Sequence, residues 1–325
     1  MSKIAQRDRN PFLYTDSNKR YYTYDYYLRK SFGGKCAKIT LDAGFTCPNI
    51  DGTCGYGGCI YCSDRGSGDF SQTPEMSLLE QYEIQCEKIN KKWDTKNFIP
   101  YLQAHTNTYA PTEKLREIYG QIIEFPNIVG FNIATRADCL PRETVELLAS
   151  VAEKTTLTVE LGLQSIHDKT AKLINRCHTY EVFADAYSRL REASDKIKVC
   201  IHLIDGLPGE TEQMMIETAR EVGRFHPDQI KLHLLHVLRG TKLAKMYDDG
   251  DYIPLSLDEY ATVICKQLEV IPSDIVIGRI TGDGKADDLI APEWSKKKFV
   301  VMNTIDKMLY ETDSYQGKYF QDKSL

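Results

Sequence analysis

No apolar stretch in this chain reaches the ~20 residues that a membrane-spanning helix requires, which sets aside a helical integral membrane protein. The opening segment, MSKIAQRDRNPFLYTDSNKRYYTYDYY, lacks the roughly 7–15-residue apolar core of a secretory signal, so the protein is expected in the cytoplasm. An overall basic excess is missing too: the net charge is −5, unlike the footprint of a general nucleic-acid binder. Repeats of solenoid period and low-complexity tracts are absent, which argues against stacked-repeat and fibrous architectures.

What is present is 325 residues, 42% hydrophobic and 27% charged, enough for one large core or two modest ones. Ten cysteines stand out. In a reducing compartment they are poor candidates for structural bridges and point instead to metal or thiol chemistry. Charge is unevenly spread: residues 1–46 carry nine Lys or Arg against Asp8, Asp16, Asp25 and Asp42, leaving the remainder at about −10. A basic, tyrosine-rich arm over 1–35 therefore leads an acidic body, as a solvated segment with aromatic anchors or as a polyanion contact.

Short β-branched or apolar runs predict strands at 36–41, 97–103, 128–134, 156–161, 198–204 and 229–235. Between them, 3.6-residue periodicity predicts helices at 76–93, 113–125, 143–152, 180–192 and 211–224. Ser77 three residues before Glu80 reads as a capping box, Thr211 precedes a periodic run, and Pro141 suits a first helical turn. The βα spacing implies parallel neighbours, in either an open doubly wound sheet or a barrel, with functional residues at the strand C-termini. The βα body spans 36–240. Residues 241–325, with helices near 241–248, 256–270 and 295–310 and an apolar run at 274–279, read as a C-terminal extension packed on it.

Directly after the first strand, Cys47, Cys54, Cys59 and Cys62 fall within sixteen residues, among Gly44, Gly52, Gly55, Gly57 and Gly58. Glycines let backbone wrap closely around an ion or cluster, and Cys59-x-x-Cys62 presents two thiolates to one site. Spacing alone leaves three readings open: a structural zinc on all four cysteines, an iron–sulfur cluster on Cys47, Cys59 and Cys62 with one iron open, or a redox pair at Cys59 and Cys62. The loop's position at the end of the first strand favours a chemical role.

At this point the chain resembles the radical S-adenosylmethionine (SAM) superfamily, with the usual Cys-x3-Cys-x2-Cys replaced by Cys47-x11-Cys59-x2-Cys62. The segments GFTCPNIDGTCGYGGCIYC, YLQAHTNTYAP, ELGLQS, LINRCHT, HLIDGLPGET and RITGDG together look like the YhcC/YtqA (MnmL-type) family, which is related to the Elongator catalytic subunit. The resemblance runs over roughly residues 20–310. Departures are Ile50 where the family often has Arg, Cys177 where it often has Gly, and the additional Cys54, read as a spectator.

The resemblance implies an α/β fold, a partial (β/α)6 TIM-like barrel of the radical SAM type with a C-terminal extension. It also implies a 4Fe-4S cluster on Cys47, Cys59 and Cys62, with SAM on the open iron and an electron donor such as flavodoxin or ferredoxin. By the same likeness Gln103, Thr106, Glu160 and Gln164 are expected near SAM, with Arg176 pairing its carboxylate; the bland alternative for Glu160 is a carboxylate saturated by its neighbours. The expected activity is modification of the C5 side chain of a tRNA wobble uridine. Tyr21, Tyr22, Tyr24, Tyr26 and Tyr27, interleaved with Arg20, Arg29 and Lys30, offer unstacked bases a surface. A radical SAM enzyme acting on a small metabolite or peptide, and a zinc-stabilised binding protein without catalysis, are the competing readings.

His202, His233 and His236 are expected to be buried, hydrogen-bonded strand residues, with His236 the nearest to a strand end. Cys36, Cys86, Cys139, Cys200 and Cys265 read as small buried hydrophobes, Cys139 being the one placed after a strand end. The Lys296–Lys298 run reads as a solvated helical face.

Overall fold

The computed structural model describes residues 10–66, 68, 71–282 and 286–321. The elements in chain order are α1 (Tyr24–Phe32), β1 (Cys36–Leu41), α2 (Leu78–Asn90), β2 (Asn97–Leu102), α3 (Thr112–Ile122), β3 (Phe131–Thr135), α4 (Arg142–Ala152), β4 (Leu157–Gln164) and α5 (Asp168–Leu173). Then follow α6 (Tyr180–Ala193), β5 (Lys198–Asp205), α7 (Glu212–Phe225), β6 (Gln229–Leu234), β7 (Val237–Leu238), α8 (Lys242–Asp248), α9 (Leu257–Val270), β8 (Val276–Arg279), β9 (Leu289–Ala291) and α10 (Lys298–Glu311). The main sheet has the order β1-β2-β3-β4-β5-β6-β8, the succession of a partial (β/α)6 barrel with a seventh strand added. That seventh strand, β8, comes from the apolar run that the sequence placed in the extension. Among the described residues no helix is long and apolar enough to cross a membrane.

The chain divides into two compact units. One comprises residues 28–163 and 171–200 and carries β1 to β4 and the start of β5. Its strands pair in parallel, β1 on β2, β2 on β3 and β3 on β4. Their apolar side chains, Leu41, Leu102, Ile133 and Val159 among them, are fully buried, as a parallel sheet covered on both faces demands. The capping box at Ser77 and Glu80 forms and starts α2. Strand β3 begins three residues later than expected, although Ile128 still forms an isolated bridge with Phe98 of β2.

One polar side chain from each of four successive strands meets in this interior. Glu160 of β4 is 1% exposed. Its Oε1 accepts from Lys38 Nζ of β1 at 2.9 Å and from Asn132 Nδ2 of β3 at 2.7 Å, and its Oε2 accepts from Tyr101 Oη of β2 at 2.7 Å. The Lys38 ammonium also lies 4.9 Å from the centre of the Tyr101 ring. A buried carboxylate is tolerated only with such partners. Lys38→Met keeps the stem and removes the charge, so urea denaturation should show a loss of ~3–5 kcal/mol, the cost of breaking a buried pair from one side. A loss below ~1 kcal/mol would mean that the pair behaves as a solvated one.

The second unit comprises residues up to 27, 164–170 and 201 onward. Here β8 pairs with β6 in parallel, and β7 pairs with β9 antiparallel. Its N-terminal segment is tied down: Arg20 Nη1 donates to Asp313 at 2.9 Å, Ile277 N–H donates to Tyr22 O at 2.7 Å, and Tyr22 N–H donates to Gln316 Oε1 at 2.8 Å. This corrects the expected base-stacking surface. Tyr21 and Arg20 are buried and unavailable to a polyanion, while Tyr22, Tyr24, Tyr26 and Tyr27 stay half-exposed in a ring cluster.

Several residues singled out in the sequence lie in this unit. Gln164 closes β4 in the left-handed region, φ +73°, and is half-buried. Gly206 and Gly209 take φ +85° and +81°, so the Gly-Leu-Pro-Gly turn needs its glycines. His236 is half-buried, pushed down to about 4 by burial and by Arg279 and Lys298, and therefore neutral near pH 7. The rings of His202 and His233 pack 5.0 Å apart. Of the Arg279–Gly284 motif, Asp283 and Gly284 lie outside the described residues.

Candidate metal centre

The loop between β1 and α2 folds back on itself through its own backbone. Cys54 N–H donates to Pro48 O at 2.8 Å, Gly58 N–H to Asn49 O at 2.9 Å, and Cys62 N–H to Cys59 O at 3.1 Å. Gly52, at φ +95°, makes room for the Tyr56 ring, which comes within 2.6 Å of where a β-carbon would stand. Two asparagines hold this shape. Asn49 Nδ2 donates to Cys59 Sγ at 3.4 Å and to Asn175 O at 3.1 Å, while Asn175 Nδ2 donates to Tyr56 O at 3.0 Å and Gly58 O at 2.7 Å.

The folding separates the four loop cysteines three to one. The Cys59 and Cys62 thiols lie near enough to act on each other, and Cys47 is close enough to interact electrostatically with both. The neighbouring Cys62 holds the buried Cys59 thiol well below its usual range, helped by Arg176, Arg136 and Asn49, so it is biased toward thiolate. Cys47 is raised by burial, against the pull of its Thr106 partner and the two guanidiniums. Cys54 stands apart and exposed, facing Cys177, with Arg136 Nη2 3.8 Å from its sulfur. Partial desolvation at its surface position, with Cys177 and Asp138 beside it and against the pull of Arg136, pushes its thiol up to about 11. The closed zinc site on four cysteines thus lacks its fourth member.

Two buried guanidiniums complete the group. Arg136, just past β3, donates to both oxygens of Asp138 at 2.9 and 2.7 Å and to Arg176 O at 2.8 Å. Arg176 donates from Nη2 to Gly162 O. Arg136 Nη1 and Arg176 Nε are buried with no hydrogen-bond partner among the described residues. Beside them His178 is pushed down to about 3 by burial and by Arg176, so it adds no charge near pH 7. Three converging thiols, one already inclined to thiolate, beside two cations with a spare donor each, fit an anionic group held by sulfur.

The residues expected near SAM are distributed unevenly. Thr106, fully buried, places Oγ1 2.9 Å from Cys47 Sγ and so supports a thiol. Arg176 lies in the group, near Cys59. Gln103 follows β2, half-buried, with its N–H on Leu41 O at 3.4 Å. Glu160 has both oxygens engaged by Lys38, Asn132 and Tyr101, so its buried charge is already compensated by the strands around it. Sequence reading assigned no role to Arg136, Asp138, Asn49 or Asn175. The last two sit inside the matched segments GFTCPNIDG and LINRCHT, where an asparagine two residues from a cysteine was the available signal.

A radical SAM superfamily model matches residues 50–222, and a radical SAM C-terminal domain model matches residues 227–311. The uncharacterized protein YtqA of Bacillus subtilis is 46% identical over 312 residues, 96% of either chain. A tRNA uridine(34) acetyltransferase of Methanocaldococcus infernus is 31% identical over 159 residues, which cover 48% of this chain and 29% of that protein. The solved structure of archaeal Elp3 from M. infernus, lacking its first 46 residues, superposes with a TM-score of 0.61 at 20% identity, covering 86% of this chain and 64% of that one; it bears on the fold alone. Radical SAM enzymes use a 4Fe-4S cluster and SAM, the chemistry that the three-thiol group fits. The chain belongs to the radical SAM superfamily, in the family of YtqA and YhcC.

Proposed function

We propose that this protein is a radical SAM enzyme that modifies the C5 side chain of a wobble uridine in tRNA. The observation that carries the substrate is the 31% identity, over 48% of the chain, to a protein named for its action on tRNA uridine 34. In this reading Cys47, Cys59 and Cys62 hold a 4Fe-4S cluster, which with SAM supplies one-electron reductive cleavage and hydrogen abstraction. Thr106 orients Cys47, Asn49 and Asn175 fix the loop, and Arg136 and Arg176 balance the thiolate charge and offer donors to a carboxylate. A flavodoxin or ferredoxin delivers the electron.

Anaerobically reconstituted protein, given dithionite, SAM and bulk tRNA from a strain lacking it, should yield a changed nucleoside by mass spectrometry. Binding of that tRNA should weaken steeply with salt, log K falling by about 0.7–0.9 per phosphate contact for each decade. Cleavage of SAM with every nucleoside unchanged would move the substrate to a small metabolite or peptide.

A further inference from the structure

The two cysteines that depart from the family pattern meet in space. Cys54 is exposed on the cysteine loop, and Cys177 is half-buried just after α5, next to Arg176. Cys177 lies near enough to Cys54 to act on its thiol. Cys177 Sγ lies over the peptide that follows Cys54, 2.7 Å from where a β-carbon on Gly55 would stand, an approach that only glycine permits. Cys177 itself takes φ +65°, a conformation in which glycine is at ease and cysteine is strained. Neither thiol belongs to the three-cysteine group, and the segments that carry them are already joined by Asn175 to Tyr56 O and Gly58 O. A bond between the sulfurs would reinforce an existing junction.

We infer that Cys54 and Cys177 form a reversible disulfide that latches the cysteine loop to the segment bearing Arg176. The oxidant is a low-molecular-weight disulfide. Cys54, once its raised thiol has lost its proton, attacks one of its sulfurs, expelling the first small thiolate and leaving a mixed disulfide. The Cys177 thiolate then attacks the Cys54 sulfur and expels the second. Two electrons pass to the oxidant, and the two thiol protons end on the released small thiols; a dithiol reverses both steps. The exposed Cys54 meets the oxidant first, and Cys177, beside it, resolves the adduct.

The test treats the iron-loaded protein anaerobically with oxidised glutathione, alkylates free thiols and maps peptides by mass spectrometry. A peptide pair joined through Cys54 and Cys177, lost on adding dithiothreitol, is expected, with iron content unchanged. Cys177→Gly suits the φ of that position and should keep its iron, while Cys54 in that variant stops at the glutathione adduct. Oxidised wild-type protein should also release iron to a chelator severalfold more slowly than oxidised Cys177→Gly. Alkylation of both cysteines, separate glutathione adducts on each, a bridge from Cys54 to some other cysteine, or equal iron release in the two proteins overturns the inference.

Discussion

Cys59→Ala protein, purified without oxygen, should hold essentially no iron or sulfide, whereas Cys54→Ala should retain both in full. The contrast follows from placement. Cys59 is buried, accepts from Asn49 and is inclined toward thiolate by Cys62 and two guanidiniums. Removing it takes away the thiolate around which the other two converge, and a cluster held by three sulfurs has no spare ligand among its own group. Cys54 is exposed and faces Cys177, so its loss leaves that group untouched. Iron and acid-labile sulfide assays on the two variants check this. Equal loss in both would return Cys54 to the ligand set and revive a four-sulfur site.

The second large effect is expected at Asp205, which ends β5. The side chain is 1% exposed, its Oδ1 accepts from Gln267 Nε2 at 2.6 Å, and its Oδ2 has no hydrogen-bond partner among the described residues. Burial, reinforced by Glu210 and opposed by Gln267, pushes the carboxyl up to about 8. A proton on Asp205 supplies a donor where two buried acceptors, its own Oδ2 and Gln267 Oε1, lack one.

The sign follows from proton counting. Between about pH 4 and 8 the folded chain holds a proton that the unfolded chain has released, so unfolding sheds it and stability falls as pH rises. This contribution is fully present below the unfolded value and is lost as pH climbs through the folded one, at up to about 1.4 kcal/mol per unit. Asp205→Asn keeps the acceptor for Gln267, adds a donor and carries no charge. Its unfolding free energy should match the wild type near pH 4 and exceed it by several kcal/mol near pH 8. Denaturation of both proteins at the two pH values measures this, and an unchanged difference between them would show that the carboxyl does not titrate in that range.

The βα body was legible because its signals are local. β1 falls on the predicted residues, and the α2 capping box and the Thr211 cap of α7 form as the residue types require. β8 is only four residues long, and its place in the sheet depends on pairing with β6, which no local pattern encodes. The β7 and β9 pair, of two and three residues, is likewise fixed by tertiary contact. Tyr21 shows the limit most plainly, because alternating tyrosine and arginine reads equally well as a stacking face or as anchors, and burial decides between them.

The centre divides in the same way. Three thiols close in sequence could be named from spacing and resemblance. Arg136 and Arg176 come from the ends of different elements, and their convergence on Cys59 is a property of the sheet. Glu160, expected at a strand end near SAM, sits within β4, and its contacts with Lys38, Asn132 and Tyr101 required three other strands to be in register.

The proposed activity requires a cluster that delivers an electron to SAM, and the most direct measurement is the product of that event. Anaerobically reconstituted protein incubated with dithionite and SAM should form 5′-deoxyadenosine in proportion to its iron, and Cys59→Ala protein should form none. Intact SAM in the presence of fully iron-loaded wild-type protein would contradict it.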